Sequence, residues 1–366
     1  MQTPNDRQFG ALITRLIGKE NLTRKEAKEA FSEILKDKTT DMQQGAFLAA
    51  LAAKGETAGE VAGSWEAIYE LDTEKVPPDG NAFLVENSGT GMDSFKTFNI
   101  STAASLIAAA GGIPMARHGA RAITSICGTV DMAEALGVDV DCSVDVVVKS
   151  IRDAGIGLFN GMSPQIHPMA LGRILSRIYF GSTLNIAASL ANPALPKIAV
   201  RGVYSKEVIM PVIEVMKAIG YRRAVVLHGD IDASDKGMDE ASVCGATHCA
   251  ELAEDGTISR FTFRPEDYGI QTFKPAELTP EGDITREAKR FVALVSAKEN
   301  GARSRAAILN AGLIYYVAGR SDTIEDGMKK ANETLESGQA FETLESWVKS
   351  QNTAPEKGLE KLGNLV

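Results

Sequence analysis

The sequence predicts an α/β protein: a small all-helical unit joined to a larger α/β unit with a central, mostly parallel sheet. Three observations carry this. Residues 5–76 hold helical periodicity only. From Phe83 onward, short apolar runs alternate with helical segments. Between the two, Pro77-Pro78-Asp79-Gly80 breaks the pattern and marks a boundary.

The helical part opens with the apolar stripe Leu12, Ile13, Leu16 and Ile17. Thr23 with Glu26 three residues on reads as a capping box before a helix that buries Ala30, Phe31, Ile34 and Leu35. Thr40-Asp41 caps a helix from Met42 to Lys54, ended by Gly55, and Thr57 caps the next, to about Leu71.

Phe83 to Val85 then suits a buried strand, and a turn follows with Gly89, Gly91 and Asp93. Asn99, Ser101 and Thr102 stand as capping residues before the Ala-rich run Ala103 to Ala110. Ile113 to Ala116 reads as a second strand and leads into the basic Arg117-His118-Gly119-Ala120-Arg121. A second loop rich in caps (Thr124, Ser125, Gly128, Thr129) precedes a helix from Val130 to Leu136. A glycine turn at a helix N-terminus gathers backbone N–H groups and favours negative charge. Two such loops within fifty residues suit a ligand with more than one phosphate; the same residues also suit ordinary strand-to-helix loops.

The alternation continues with a helix from Val144 to Ala154, a strand from Ile156 to Phe159 and a loop from Ser163 to Pro168. Met169 to Tyr179 is helical and puts Arg173 and Arg177 on one face. Residues 169–195 are strand-free, so they are assigned to the helical unit. The expected domains are 1–77 plus about 169–195, helical and dimerising through a spare apolar face, and 78–168 with 196–366, α/β. Strands are expected at Ile198 to Gly202 and Arg223 to His228, with a helix from Glu207 to Ile219 between them. The loop after Gly229 carries Asp230, Asp232, Asp235, Asp239 and Glu240. An acidic loop at a strand C-terminus is where α/β proteins place ligands and metals. Glu254-Asp255-Gly256 reads as a hairpin turn, and helices from Thr285, Ser304 and Asp322 onward close the chain.

The bulk properties narrow the function. The chain has 366 residues, 44% hydrophobic and 24% charged, as a globular protein does. Its net charge of -9 argues against general nucleic-acid binding. The four cysteines lack CxxC spacing, the N-terminus lacks a signal-peptide core, and no apolar run is long enough to span a membrane. A cytoplasmic, thiol-reduced protein is expected.

The motifs resemble the anthranilate phosphoribosyltransferase family, of the same fold group as the pyrimidine nucleoside phosphorylases. Gly89-Thr90-Gly91-Met92-Asp93 and Thr97-Phe98-Asn99-Ile100-Ser101-Thr102 look like the family's GTGGD and TFNIST runs. Arg117 to Ala122 looks like KHGNRA, and Gly128-Thr129-Val130-Asp131 with Glu134 to Gly137 looks like GSAD followed by LEALG. Asp239-Glu240-Ala241-Ser242 looks like the metal-binding acidic pair, and Pro265 to Gly269 like a further family run.

The resemblance implies transfer of a phosphoribosyl group from phosphoribosyl pyrophosphate (PRPP) to an aromatic amine carboxylate such as anthranilate, as in tryptophan biosynthesis. It needs no covalent nucleophile on the enzyme. Gly89, Asp93, Thr97, Asn99, Ser101 and Thr102 would hold PRPP, joined by Arg117, Gly119, Ser125 and Thr129 from the second loop. Ser101, Asp239 and Glu240 would bind Mg2+. Arg177, with Gly89 and Ala120, would face the acceptor. Read without the resemblance, Asp93 also suits a turn cap, Asp239-Glu240 a solvated helix start, Arg177 a surface ion pair, and His118 and His167 structural loop positions.

The chain departs from the family pattern near the acceptor. Met92 stands where a glycine is expected, Arg117 replaces a lysine, and Ala120 replaces an asparagine that contacts the acceptor. Ile126 is apolar in a usually polar loop. Gly181 to Asn185 is two residues short, and Ala188-Ser189 stands in for Gly-Pro. Three alternatives stay open: a paralogue with another acceptor, a nucleoside phosphorylase, and a non-enzymatic paralogue that binds nucleic acid across a dimer groove. A phosphorylase would need a different glycine loop, and a nucleic-acid groove would need a basic stripe.

Overall fold

The computed structural model describes residues 4–76, 83–121 and 127–366. Four helices come first: α1 (Pro4–Ile17), α2 (Arg24–Leu35), α3 (Asp41–Lys54) and α4 (Ala58–Leu71). Thr23, Thr40 and Thr57 each close a capping box, with Glu26, Gln43 and Glu60 as partners. The alternating part follows with β1 (Val85–Gly89), α5 (Ile100–Ala110), β2 (Met115–Gly119), α6 (Thr129–Ala135), α7 (Val144–Ala154) and β3 (Ile156–Asn160). Two short helices intervene, α8 (Leu171–Ile178) and α9 (Thr183–Ser189). Next come β4 (Ile198–Gly202), α10 (Ile209–Ala218), β5 (Arg223–Asp230), β6 (Gly237–Met238), β7 (Thr247–Leu252) and β8 (Ile258–Phe263). The helices α11 (Ile284–Val295), α12 (Ala302–Val317), α13 (Ile324–Glu336), α14 (Gln339–Ser350) and α15 (Pro355–Gly363) end the chain.

Among the described residues the strands form one sheet in the order β3-β2-β1-β4-β5-β7-β8, with β6 paired to β5. The pairs from β3 to β5 are parallel; β5–β6, β5–β7 and β7–β8 are antiparallel. The sheet is therefore mostly parallel, as the strand–helix alternation predicts. Successive residues of the central strands serve opposite faces, because the side-chain period of a strand is two. Ile198, Val200, Val225 and Leu227 pack with α5, α11 and α12 on one side. Ala199, Ala224 and Val226 pack with α10 and the N-terminal helices on the other.

The N-terminal helices and the 170–191 segment share that second core, through Ala170, Leu171, Ile174, Leu184, Ala187 and Leu190. Trp65 Nε1 on α4 donates to Leu190 O at 2.9 Å and ties the two together.

Two strands are displaced from their expected positions. The apolar run at 83–85 is only the approach to β1, which continues through Glu86, Asn87 and Ser88 to Gly89. Likewise β2 runs through Arg117 and His118 to Gly119. All five of these polar side chains are buried, and buried polar groups persist only when hydrogen-bonded. Asn87 Nδ2 donates to Ser101 O at 3.1 Å, and Glu86 accepts from Tyr221 Oη at 2.7 Å. Hydrophobic periodicity cannot see a strand whose inward residues are polar.

Glu60 shows how the helical layer is locked. It is wholly buried and accepts from Leu22 N at 2.7 Å, Thr57 N at 2.8 Å and Lys54 Nζ at 2.9 Å. Removing one partner of a buried pair leaves the other charge desolvated. Glu60→Ala is therefore expected to lower unfolding free energy in a urea titration by about 3 kcal/mol. An exposed pair such as Lys25–Glu29 should contribute under about 1 kcal/mol in the same assay.

Candidate active site

The sheet order places a topological switch between β1 and β4. From β1 the chain winds outward through β2 and β3, then returns to the other side of β1 as β4. At such a point the two loops leave the strand C-termini in opposite directions and open a crevice. Its floor is a pair of glycines in register, Gly89 at the end of β1 and Gly202 at the end of β4.

Asp239 lies on this floor. A Cβ on Gly89 would stand 2.0 Å from Asp239 Oδ2, and one on Gly202 would stand 1.6 Å from Asp239 O. Any side chain at either position would expel the acid. Gly91 N donates to Asp239 Oδ2 at 2.8 Å, and Thr90 N donates to Gly202 O at 3.0 Å. Asn310, buried on α12, holds the next segment: it accepts from Ala241 N at 2.9 Å and donates to Ala241 O at 3.0 Å.

Glu240 reaches the N-terminus of α5. Its Oε1 accepts from Ser101 N at 3.0 Å and from Ser101 Oγ at 2.6 Å. The expected capping by Asn99 is not what forms. Asn99 occupies the cap position, but its Nδ2 donates to Cys127 O at 3.3 Å. A carboxylate from a distant loop satisfies the orphan N–H instead. Thr102 Oγ1 accepts from Arg117 Nη1 at 2.7 Å, and Arg117 Nε donates to Asn87 O at 3.1 Å.

The crevice concentrates negative charge. Burial and then the neighbouring Asp239 push the carboxyls of both Asp93 and Glu240 above the usual range. Lys96 Nζ, 2.7 Å from Asp93, works in the opposite direction. Burial pushes the Arg117 guanidinium down to about 10. The nearby His118 is pushed down to about 3 by burial and His167, so its imidazole is uncharged at ordinary pH.

The sequence-predicted residues thus divide. Gly89, Asp93, Ser101, Thr102, Asp239 and Glu240 meet at the crevice, with Arg117 beneath them. Thr97 is half-buried on the approach to α5. Gly119 ends β2 and packs under Thr129, whose Cγ2 would stand 3.1 Å from a Cβ there. Ala120 is exposed beside it, and Ser125 lies outside the described residues. Arg177 stands apart: its side chain is 63% exposed and its Nη1 is 3.5 Å from Asp41 Oδ2 on α3. Gly202 and Asn310 were not singled out. An asparagine within the apolar run of α12 is the signal that marks Asn310.

Residues 11–71 match the helical bundle domain of a glycosyl transferase family, and residues 81–341 match its α/β domain. An anthranilate phosphoribosyltransferase from Desulfosudis oleivorans is 33% identical over 342 residues, 93% of this chain and 98% of the relative. Another from Rhizobium rhizogenes is 35% identical over 343 residues, 93% and 97% of the two chains. The chain belongs to the anthranilate phosphoribosyltransferase family. It is accordingly a glycosyltransferase of the phosphoribosyltransferase class. The crystal structure of an anthranilate phosphoribosyltransferase from Thermus thermophilus superposes with a TM-score of 0.84 at 29% identity, covering 93% of this chain and 99% of that one. The yeast enzyme in complex with PRPP and Mg shares the fold, with a TM-score of 0.82 at 21% identity, over 94% and 98% of the two chains.

Met92 is the sharpest departure within the family's glycine turn. It adopts φ +66°, directly after Gly91 at φ +65°. Its side chain is exposed and turns toward the loop between α8 and α9, with Cε 3.5 Å from where a Cβ on Gly181 would sit. A non-glycine residue there costs about 1 kcal/mol or more. Met92→Gly removes a side chain, yet relief of strain offsets the entropy of glycine, so its melting temperature should match the parent's. Met92→Val, β-branched at positive φ, should lose about 1–2 kcal/mol in denaturant unfolding.

Proposed function

We propose that the protein transfers the 5-phosphoribosyl group of PRPP to an aromatic amine carboxylate, anthranilate in the simplest case, and releases pyrophosphate in a Mg-dependent reaction. The observation that carries this reading is the meeting of Asp239 and Glu240 with the glycine turn and the α5 N-terminus at the switch point. Cytoplasmic tryptophan biosynthesis is the corresponding role.

The donor set suits a hard cation. It consists of two carboxylates and the Ser101 hydroxyl, with Asp93 adjacent. Among the described residues no group of three or more acidic, histidine or cysteine side chains could by itself hold a metal ion. Mg2+ takes one or two carboxylates and completes its shell with water and substrate phosphates. Bound Mg2+ would supply positive charge against the departing pyrophosphate.

The chain's own groups do the rest. Backbone N–H groups of the 89–93 turn and of the first turn of α5 would receive the pyrophosphate once Gly91 N and Ser101 N are released from Asp239 and Glu240. Negative charge builds on that group as the C1–O bond loosens, so donors fixed there lower the barrier. Asp93, Thr97, Asn99 and Thr102 would hold the sugar phosphate, with Lys96 beside Asp93 and with Gly119 and Thr129 from the second loop. The amine attacks from the helical side, where its alignment supplies much of the remaining acceleration. Arg177 would exchange its exposed partner Asp41 for the acceptor carboxylate, as a planar fork. Ala120 offers no amide to the acceptor; this favours, as a second reading, the same transfer onto a larger aromatic acid.

The helical unit, residues 1–77 with about 169–195, is read as the dimerising part, and 78–168 with 196–366 as the donor-binding part. Ile17 and Met42, exposed at 70% and 84%, would be covered in a homodimer.

Pyrophosphate release with PRPP and anthranilate tests the proposal. The parent should turn over with Mg2+ and stop when it is chelated. Asp239→Ala with Glu240→Ala should cut turnover by about a hundredfold or more. Arg177→Ala should raise the acceptor KM about tenfold with PRPP affinity nearly unchanged. Full turnover by the double variant would refute the metal assignment. Turnover only with another aromatic acid would move the reading to that acceptor.

A further inference from the structure

Arg201 precedes Gly202 on β4, and the donor chemistry leaves it unused. It is 1% exposed and sits in register with Ser88 on β1, one step before the glycine pair. Nη1 donates to Ser88 Oγ at 2.6 Å and lies 3.4 Å from Ser189 O; Nη2 donates to Ser189 Oγ. Ser189 is the last residue of α9. One guanidinium therefore joins the end of a helix in the helical layer to the residue that begins the glycine turn. Its nitrogens lie in a rigid plane, so neither serine can shift relative to the other without losing a charge-assisted hydrogen bond.

The contact is backed on both sides. Glu86, buried on β1, has its carboxyl pushed up by burial while Arg201 draws it down, and it is itself fixed by Tyr221 Oη at 2.7 Å and Asn192 Nδ2 at 3.2 Å. Ser189 O also lies 3.4 Å from His118 Nδ1, and His118 Nε2 lies 3.4 Å from His167 Nε2. His167 Nδ1 is 2.5 Å from Asp72 O. The Asp72 carboxylate accepts from the N–H groups of Met169, Ala170 and Leu171 at 2.5, 2.9 and 2.7 Å, at the start of α8. A buried polar seam thus runs from Ser88 through α9 to the N-terminus of the helix that carries Arg177.

We propose that Arg201 is a positioning residue that fixes α8 and α9 relative to the glycine turn, so that acceptor side and donor side keep one alignment. Its catalytic meaning rests on the phosphoribosyl-transfer reading; the mechanical link does not. Ser189 stands where the family pattern has a proline, which would offer Arg201 no hydroxyl.

Hydrogen exchange of the ligand-free protein reads the link directly. In Ser189→Ala, the amides of Thr90 and Gly91 should exchange about tenfold faster, while α12 amides and the melting temperature stay at parent values. Ser88→Ala combined with Ser189→Ala should do no more than either alone, because both act through one guanidinium. In turnover, Ser189→Ala and Arg201→Gln should raise the acceptor KM about fivefold with kcat and the PRPP KM within about twofold, and Arg201→Lys should recover part of the loss. Parent exchange rates at Thr90 and Gly91 in a folded Ser189→Ala protein overturn the proposal, as does an acceptor KM that does not move. Faster exchange in Ser189→Ala, together with a parent protein that shows no transferase turnover, would sink the functional reading and leave Arg201's role standing.

Discussion

The N-terminus of α5 accepts a carboxylate that comes from 139 residues away. Glu240 bonds both the backbone and the hydroxyl of Ser101, and much of the crevice follows from that contact. A buried acid costs free energy unless it is hydrogen-bonded. Here the Ser101 hydroxyl and N–H provide the bonds, and they oppose the burial and the neighbouring Asp239 that together push the carboxyl up to about 8. Asp239 must then lie over β1 and β4, which admits only glycine at 89 and 202. Asn310 on α12 fixes the backbone that follows. Without the contact, the Gly91 N–H on Asp239 and Asn310 on Ala241 alone would hold the acids toward the glycine turn.

The sheet topology makes this contact possible. Parallel strands on either side of the switch send their loops apart, and only there is space left above two adjacent strand ends. The helical layer closes the crevice from one side through α8 and α9. Their seating depends on a shared apolar core and on the polar seam through Ser189 and Arg201. Apolar contact supplies most of the adhesion and the hydrogen bonds supply the register, since burial of apolar surface is non-directional.

Much of this was legible in the chain. The threonine caps with Glu26 and Glu60, the Pro-Pro-Asp-Gly break and the alternation after Phe83 gave the architecture, because each acts locally. The glycine turn and the Asp239-Glu240 pair could be singled out for the same reason. What escaped depends on distant partners. The strands β1 and β2 were placed too early because Glu86, Asn87, Arg117 and His118 look like loop residues until Tyr221, Ser101, Thr102 and Ser189 are seen beside them. Asn99 looks like a cap until Glu240 arrives. Arg201 and Gly202 sit in an ordinary apolar strand, and nothing nearby in sequence reveals that one meets Ser189 and the other Asp239. Arg177 lies against Asp41 in the ligand-free chain, so its part in acceptor binding rests on the family resemblance rather than on a contact.

The central claim is that Asp239, Glu240 and the α5 N-terminus form one donor site at the β1–β4 switch. A crystal structure grown with Mg2+ and PRPP tests it most directly. The account predicts pyrophosphate density beside the backbone of residues 89–93, with the metal against Asp239 or Glu240 and Glu240 drawn off the Ser101 N–H. Density for PRPP elsewhere, with Glu240 still closed on Ser101 and no metal at either acid, would contradict it.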